Sequence, residues 1–317
     1  MLKLFSSIVV NGSVGYDYIM DFPGKFVDHF HPERLHQINI SFVVSRLEKQ
    51  LGGSATNISY NAALANSYLG NKIPVTALSA VGKDGKEFIS FFKKNKINVN
   101  GILVDKSLYS ASGNAITDLK DNQILGYYYG ASKSSKKISL NKFADKNSLC
   151  VIAANHPESF MHFQKEAITN NNTYIYDPGM ALTWIEDENL REGVLHSKYL
   201  IGNDYEIAMI LRRLKTSIKK LTNNGLQVIT TLGEKGVKYE NRSSKLHVPS
   251  FKIKKIVDPT GAGDAFRGGF IGGLVKGLPI KECLKLGNIF ASFAIETYGT
   301  VNHKPIKKEI AKRFKTL

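Results

Sequence analysis

Short apolar runs alternate with amphipathic stretches along most of this chain. The runs predict strands at residues 7–11, 75–80, 149–153, 173–176, 199–202, 227–231 and 236–239. Between and after them, apolar positions three and four apart predict helices at 55–69, 85–94, 157–170, 204–213, 217–223, 264–276 and 280–296. Most of the strands are apolar on both faces, as a parallel sheet covered on both sides requires. The alternation therefore predicts an α/β fold, a doubly wound and mostly parallel sheet with helices on both faces. In such folds ligands bind beyond the carboxyl ends of the strands. Two segments, about 16–49 and 107–130, break the rhythm. They are polar and aromatic, with β-type alternation and turns at Pro23-Gly24 and Lys120-Asp121-Asn122. They are expected to pair into a small β-sheet lid on one folding unit spanning 1–317.

Composition narrows the picture. At 317 residues and 43% hydrophobic, the chain can bury a large core. Cys150 and Cys283 sit in apolar surroundings far apart in sequence, and are read as buried thiols in a reducing compartment. The first ten residues carry one positive charge and are read as a first strand rather than an export signal. No apolar run approaches the ~20 residues of a membrane span, so a cytoplasmic protein is expected. The net charge of +16 raises nucleic-acid binding. The basic residues are scattered over helix faces and a Lys-rich C-terminus without a nucleic-acid motif, so neither a nucleic-acid nor a membrane partner is expected.

Chemistry concentrates in Ile256-Val257-Asp258-Pro259-Thr260-Gly261-Ala262-Gly263-Asp264-Ala265-Phe266. Gly261 and Gly263 allow a tight turn and close approach to a ligand. The helix that follows aims free N–H groups and its positive end at an anion. A carboxylate there opposes simple anion binding. It makes sense as a base that takes a proton from a hydroxyl about to attack phosphorus. The run thus points to phosphoryl transfer with Asp264 as base. Arg267, one helix turn on, either reaches a phosphate or pairs with a carboxylate.

Four further motifs follow strands or open helices. In Gly12-Ser13-Val14-Gly15-Tyr16-Asp17, Asp17 projects from the end of strand one to accept hydroxyls of a sugar diol, or is a plain turn aspartate. Gly52-Gly53-Ser54-Ala55-Thr56-Asn57 lets a ligand approach the backbone and offers an amide, or simply starts a helix. Asn203-Asp204-Tyr205-Glu206 either holds hydrated Mg²⁺ or caps a helix. Thr230-Thr231-Leu232-Gly233-Glu234-Lys235-Gly236 is a glycine turn that contacts nucleotide or closes a hairpin. The sequence holds no P-loop signature, zinc-spaced Cys/His cluster or Gly-x-Ser-x-Gly elbow. His29-Phe30-His31 is read as lid structure.

In this order the five motifs resemble the ribokinase-like (PfkB-type) family of carbohydrate and nucleoside kinases, over essentially the whole chain. Asp21-Phe22-Pro23-Gly24-Lys25-Phe26, Thr117–Gln123, Tyr176-Asp177-Pro178-Gly179, Pro259 and Glu296–Thr300 look closer to bacterial and archaeal adenosine/nucleoside kinases. The resemblance implies that Asp264 is the base and that Gly261, Ala262 and Gly263 form an anion hole. It implies that Asp17, Gly53, Asn57 and Gln123 face the acceptor. Asn203 and Glu206 would organise Mg²⁺ through water, while Thr231, Gly233, Gly236 and Asn288 would line the ATP site. Asp258, Thr260 and Gly299 lie where carbonyl ligands of a monovalent cation, K⁺, would come from. Gly130-Ala131-Ser132 departs from the pattern, where a methionine is expected after the lid. The expected activity is ATP- and Mg²⁺-dependent phosphorylation of a nucleoside 5′-hydroxyl. A ribose- or fructose-type sugar kinase and a nucleotide-binding regulator are the rivals. Phe22 and Tyr127-Tyr128-Tyr129 either stack a base or fill the lid core. The chain is expected to be a monomer or a homodimer joined through lid edges.

Overall fold

The computed structural model of the chain describes residues 5–30, 39–120 and 122–317. The elements in chain order begin with β1 (Ser7–Asn11), β2 (Gly15–Asp21), β3 (Arg46–Gly52), α1 (Ser54–Leu69) and β4 (Val75–Gly82). Next come α2 (Lys86–Lys94), β5 (Ile97–Asn98), β6 (Ile102–Asp105), β7 (Ala111–Thr117), β8 (Gln123–Tyr128) and β9 (Ser148–Ala153). They are followed by α3 (Pro157–Thr169), β10 (Thr173–Asp177), α4 (Asp187–Leu195), β11 (Tyr199–Asn203), α5 (Asp204–Arg213) and α6 (Ile218–Asn223). The chain closes with β12 (Gln227–Thr231), β13 (Val237–Glu240), β14 (Lys245–Val248), α7 (Ala262–Lys276), α8 (Ile280–Ile295) and α9 (Lys307–Thr316).

The large sheet runs β14-β13-β12-β11-β10-β9-β1-β4-β5, with β6 also on β4. It is parallel from β12 to β5, and β13 and β14 add an antiparallel edge. Strand order reverses at β1: β4 lies on one side and β9 on the other. That reversal opens a crevice at the carboxyl ends of the strands. Alternate residues of β1 feed two cores. Ile8 and Val10 pack toward α1, α7 and α8, while Val9 packs toward α3, α4 and α5. Both cysteines are buried free thiols, as expected.

Helix α7 is held by close backbone packing on two sides. A Cβ at Gly268 or Gly272 would fall 2.3–2.4 Å from the Cβ of Asn61 or Ala65 on α1. At Gly269 or Gly273 it would meet Leu286 or Cys283 of α8 at 2.7–2.9 Å. The glycines thus allow three helices to meet without intervening side chains, which fixes the α7 N-terminus over the crevice. Gly272→Ala is expected to overpack this seam and lower stability by ~1–3 kcal/mol. Urea unfolding of the variant beside the parent measures it.

The second sheet has the order β3-β2-β7-β8. The buried Asp118 carboxylate links its two halves by accepting from the N–H groups of Phe26, Lys120 and Asn122. One expectation changes here. Asp17 is not at the end of β1: Gly15 starts a new strand that pairs with β3 and β7, so Asp17 belongs to the small sheet. Phe22 takes the lid-core reading of its two: it is 8% exposed and packs on Phe26, Phe42 and His29. The Lys-rich C-terminus, read as a solvated tail, forms α9. Its Ile310 is buried and its Arg313 guanidinium lies 3.7 Å from the Phe293 ring centre. Of the three lid histidines, His31 and His36 lie outside the described residues, as does Asp121.

Candidate active site

The α7 N-terminus is built by backbone geometry. Gly261 caps the helix at φ +76°, and a side chain there would clash with Thr300 at 2.8 Å. The Asp258 carboxylate ties the neighbouring loops, accepting from Thr260 N–H at 2.9 Å and Gly299 N–H at 3.0 Å. The three residues expected near a monovalent cation are thus brought together. Among the described residues no group of three or more His, Cys, Asp or Glu could hold a metal.

Asp264 lies in the first turn of α7. Its Oδ2 accepts from Asn57 Nδ2 at 2.8 Å, and Thr300 Oγ1 donates to Asn57 Oδ1 at 2.8 Å. Asn57 is aimed by α1, which starts at Gly53 with φ +93°. A side chain at Gly53 would strike the Ser13 carbonyl at 2.5 Å, so the loops after β1 and before α1 touch directly. Burial pushes the Asp264 carboxyl above its ordinary range; Arg267 and the Asn57 hydrogen bond pull it down, and Glu206 pushes it up. Arg267 pairs with a carboxylate, as one of its two expected roles had it: Nη2 donates to Asp177 at the end of β10.

Asp17 sits in a cross-strand row, Gln50–Asp17–Gly113–Tyr127. In-register side chains share a face. The next two rows on that face hold Glu48, Ile19, Ala115 and Leu125, then Arg46, Asp21, Thr117 and Gln123. This face and the 257–260 and 298–300 loops enclose a cavity of about 630 Å³. The carboxylate fits only because its neighbours lack side chains: a Cβ at Gly52 would fall 2.1 Å from Asp17 Oδ2. Burial, then the charges of Asp264 and Asp258, push Asp17 up to about 6. Tyr127 is 37% exposed along its ring, yet burial pushes its hydroxyl, beside Ser13 and Asp17, up to about 12. Gln123 lies at the outer edge, donating to Thr117 Oγ1 at 3.2 Å.

Most residues expected to face a nucleotide cluster at the ends of β11 and β12. Asn203 and Thr231 are paired in register. Asn203 and Glu206 form a reciprocal capping box, each side chain accepting the other's N–H at 2.8 Å. The helix-cap reading is therefore realised. Glu206 Oε1 makes no hydrogen bond among the described residues and the pair lies at the crevice edge, so the donor set suits a hydrated Mg²⁺. Gly233 (φ +57°) and Gly236 (φ +88°) shape the turn between β12 and β13. Asn288 stands apart: it is 7% exposed, and its amide donates to the Val248 and Pro249 carbonyls. Asp177, Thr300 and Gln50 were not singled out as site residues. Asp177 carried a signal in its strand-end Asp-Pro-Gly and Thr300 in the Glu296–Thr300 stretch, whereas Gln50 had none.

The fold and this site define a phosphotransferase with a hydroxyl acceptor. The chain belongs to the pfkB family of carbohydrate kinases, whose family model matches residues 22–307. It is 29% identical to a nucleoside kinase of Methanocaldococcus jannaschii, over 90% of this chain and 92% of the relative. The crystal structure of the M. jannaschii nucleoside kinase, described as an archaeal member of the ribokinase family, superposes with a TM-score of 0.86 at 27% identity, covering 98% and 99% of the two chains. The Burkholderia thailandensis nucleoside kinase in complex with inosine gives 0.85 at 27% identity, covering 98% and 97%.

Proposed function

We propose that the protein transfers the γ-phosphoryl group of ATP to the 5′-hydroxyl of a nucleoside, with adenosine or a broader purine set as acceptor. The observation that carries this reading is the composite face around Asp17. A carboxylate suited to a ribose diol stands beside a row whose Ile19, Ala115 and Leu125 line the cavity and suit a flat base, while its outer member Glu48 is not part of the lining. A sugar alone would leave that row wet. Relatives named as nucleoside kinases support the same choice over the ribose-type alternative.

In this reading Asp17, Gly53 and Asn57 orient the ribose, with Gln123 at the cavity edge. Asp264 accepts the 5′-hydroxyl proton as oxygen attacks phosphorus. The N–H groups around Gly261, Ala262 and Gly263 stabilise the transferred group, that of Ala262 turning from the Pro259 carbonyl 3.3 Å away. Asn203 and Glu206 would hold Mg²⁺ through water, and the metal would neutralise phosphate charge. Thr231, Gly233 and Gly236 border the nucleotide, with Asn288 supporting the loop beside them. Asp258, Thr260 and Gly299 frame the K⁺ site.

Turnover of adenosine, inosine, cytidine and ribose with ATP and Mg²⁺, with and without K⁺, tests the proposal. Nucleosides are expected to exceed ribose by at least tenfold in kcat/KM. Equal or faster turnover of ribose would reverse the assignment.

A further inference from the structure

Arg267 is a buried cation set among carboxylates. Its side chain is 9% exposed and Asp177's is 6%. Nη2 is bound to Asp177, and Nε is buried without a partner among the described residues. Nη1 lies against Gly263, close enough that a Cβ there would sit 2.7 Å away. The guanidinium therefore braces the first turn of α7 from beneath, beside Asp264. Such a buried charge is costly unless it serves neighbours that need it.

The other charged groups around Asp264 are anionic. Asp17 faces it from β2, Asp177 from β10 and Glu206 from α5, while Asn57 on α1 is neutral. Burial and the charge of Glu206 favour a protonated Asp264, a form that cannot accept a proton. Arg267 acts in the opposite direction. Burial likewise pushes Asp177 up, against the pull of the same guanidinium.

We propose that Arg267 is a positioning residue for the reaction: anchored to β10 by Asp177, it supplies the buried positive charge that keeps Asp264 a carboxylate at neutral pH. This rests on the reading of Asp264 as the base. Arg267 acts through Asp264.

The test is the pH profile of kcat at saturating ATP and nucleoside for the parent, Arg267→Lys, Arg267→Gln and the double variant Asp177→Asn/Arg267→Gln. The double variant replaces the ion pair by a neutral hydrogen-bonding pair and so guards against misfolding of the single one. Loss of the cation is expected to move the acid limb up by about one pH unit or more. Activity should return toward the parent at high pH, and the nucleoside KM should stay within about threefold. Arg267→Lys is expected to keep most of the parent profile. A folded Arg267→Gln or double variant whose rate falls equally at every pH, with the limb unmoved, overturns the proposal. Asp264→Asn, assayed alongside, separates the two readings. Parent-like turnover there removes the base itself, whereas an unmoved limb with inactive Asp264→Asn removes only the role of Arg267.

Discussion

Asp264→Asn is expected to lower kcat on the order of 10²–10⁴-fold, the usual worth of a positioned general base. The substitution is close to isosteric. An amide oxygen at 264 can still accept from Asn57 Nδ2, so the 2.8 Å contact that aims the side chain persists. ATP binding and the unfolding midpoint are therefore expected to stay near the parent's, while chemistry is lost. Single-turnover kinetics with calorimetric ATP titration check this. Near-normal turnover would mean that Asp264 shapes the anion hole and that the proton leaves by another route.

Asp17→Asn is expected to have the second-largest effect, and to act in opposite directions on activity and stability. A charge-assisted hydrogen bond to a sugar hydroxyl contributes roughly 1.5–3 kcal/mol, so kcat/KM for the nucleoside should fall on the order of 10²-fold. Stability should change the other way in the unliganded protein. The folded-state value of Asp17 is raised from 3.8 to about 6. A carboxyl raised on folding contributes fully below its unfolded value and loses that contribution as pH rises through the folded value. Unliganded Asp17→Asn should thus exceed the parent by ~2–3 kcal/mol at neutral pH, with the parent's deficit growing between pH 4 and 6. Urea unfolding at pH 4 and pH 7.5 measures it. An advantage of the same size at both pH values would show that Asp17 is not held at a cost.

Local signals made much of this legible in the sequence. The strands and helices of the doubly wound sheet show as apolar runs and periodic stretches because each is set by its own burial pattern. The α7 run was readable for the same reason: its turn glycines, carboxylate and helix are adjacent. What escaped depends on contacts between distant segments. Arg267 and Asp177 are 90 residues apart, and their ion pair leaves no local trace. Asp17 was read as projecting from a strand end because residues 12–17 follow the first strand directly. The change of sheet at Gly15 is set by pairing to β3 and β7. The C-terminal helix was obscured by its charge, since few of its residues enter the core. Its arginine earns its place by stacking on Phe293.

The glycine seam of α7 also bears on how the molecule can be altered. The half of the site that handles phosphate is welded to two other helices at backbone distance. Any side chain added at the seam glycines disturbs the fold as well as the site. The half that faces the acceptor is a strip of side chains on a four-stranded sheet, and every residue of β8 is open to solvent. New acceptors should therefore be sought by recombining positions 19, 115, 123 and 125. A library confined to that strip leaves the phosphoryl-transfer machinery as it is.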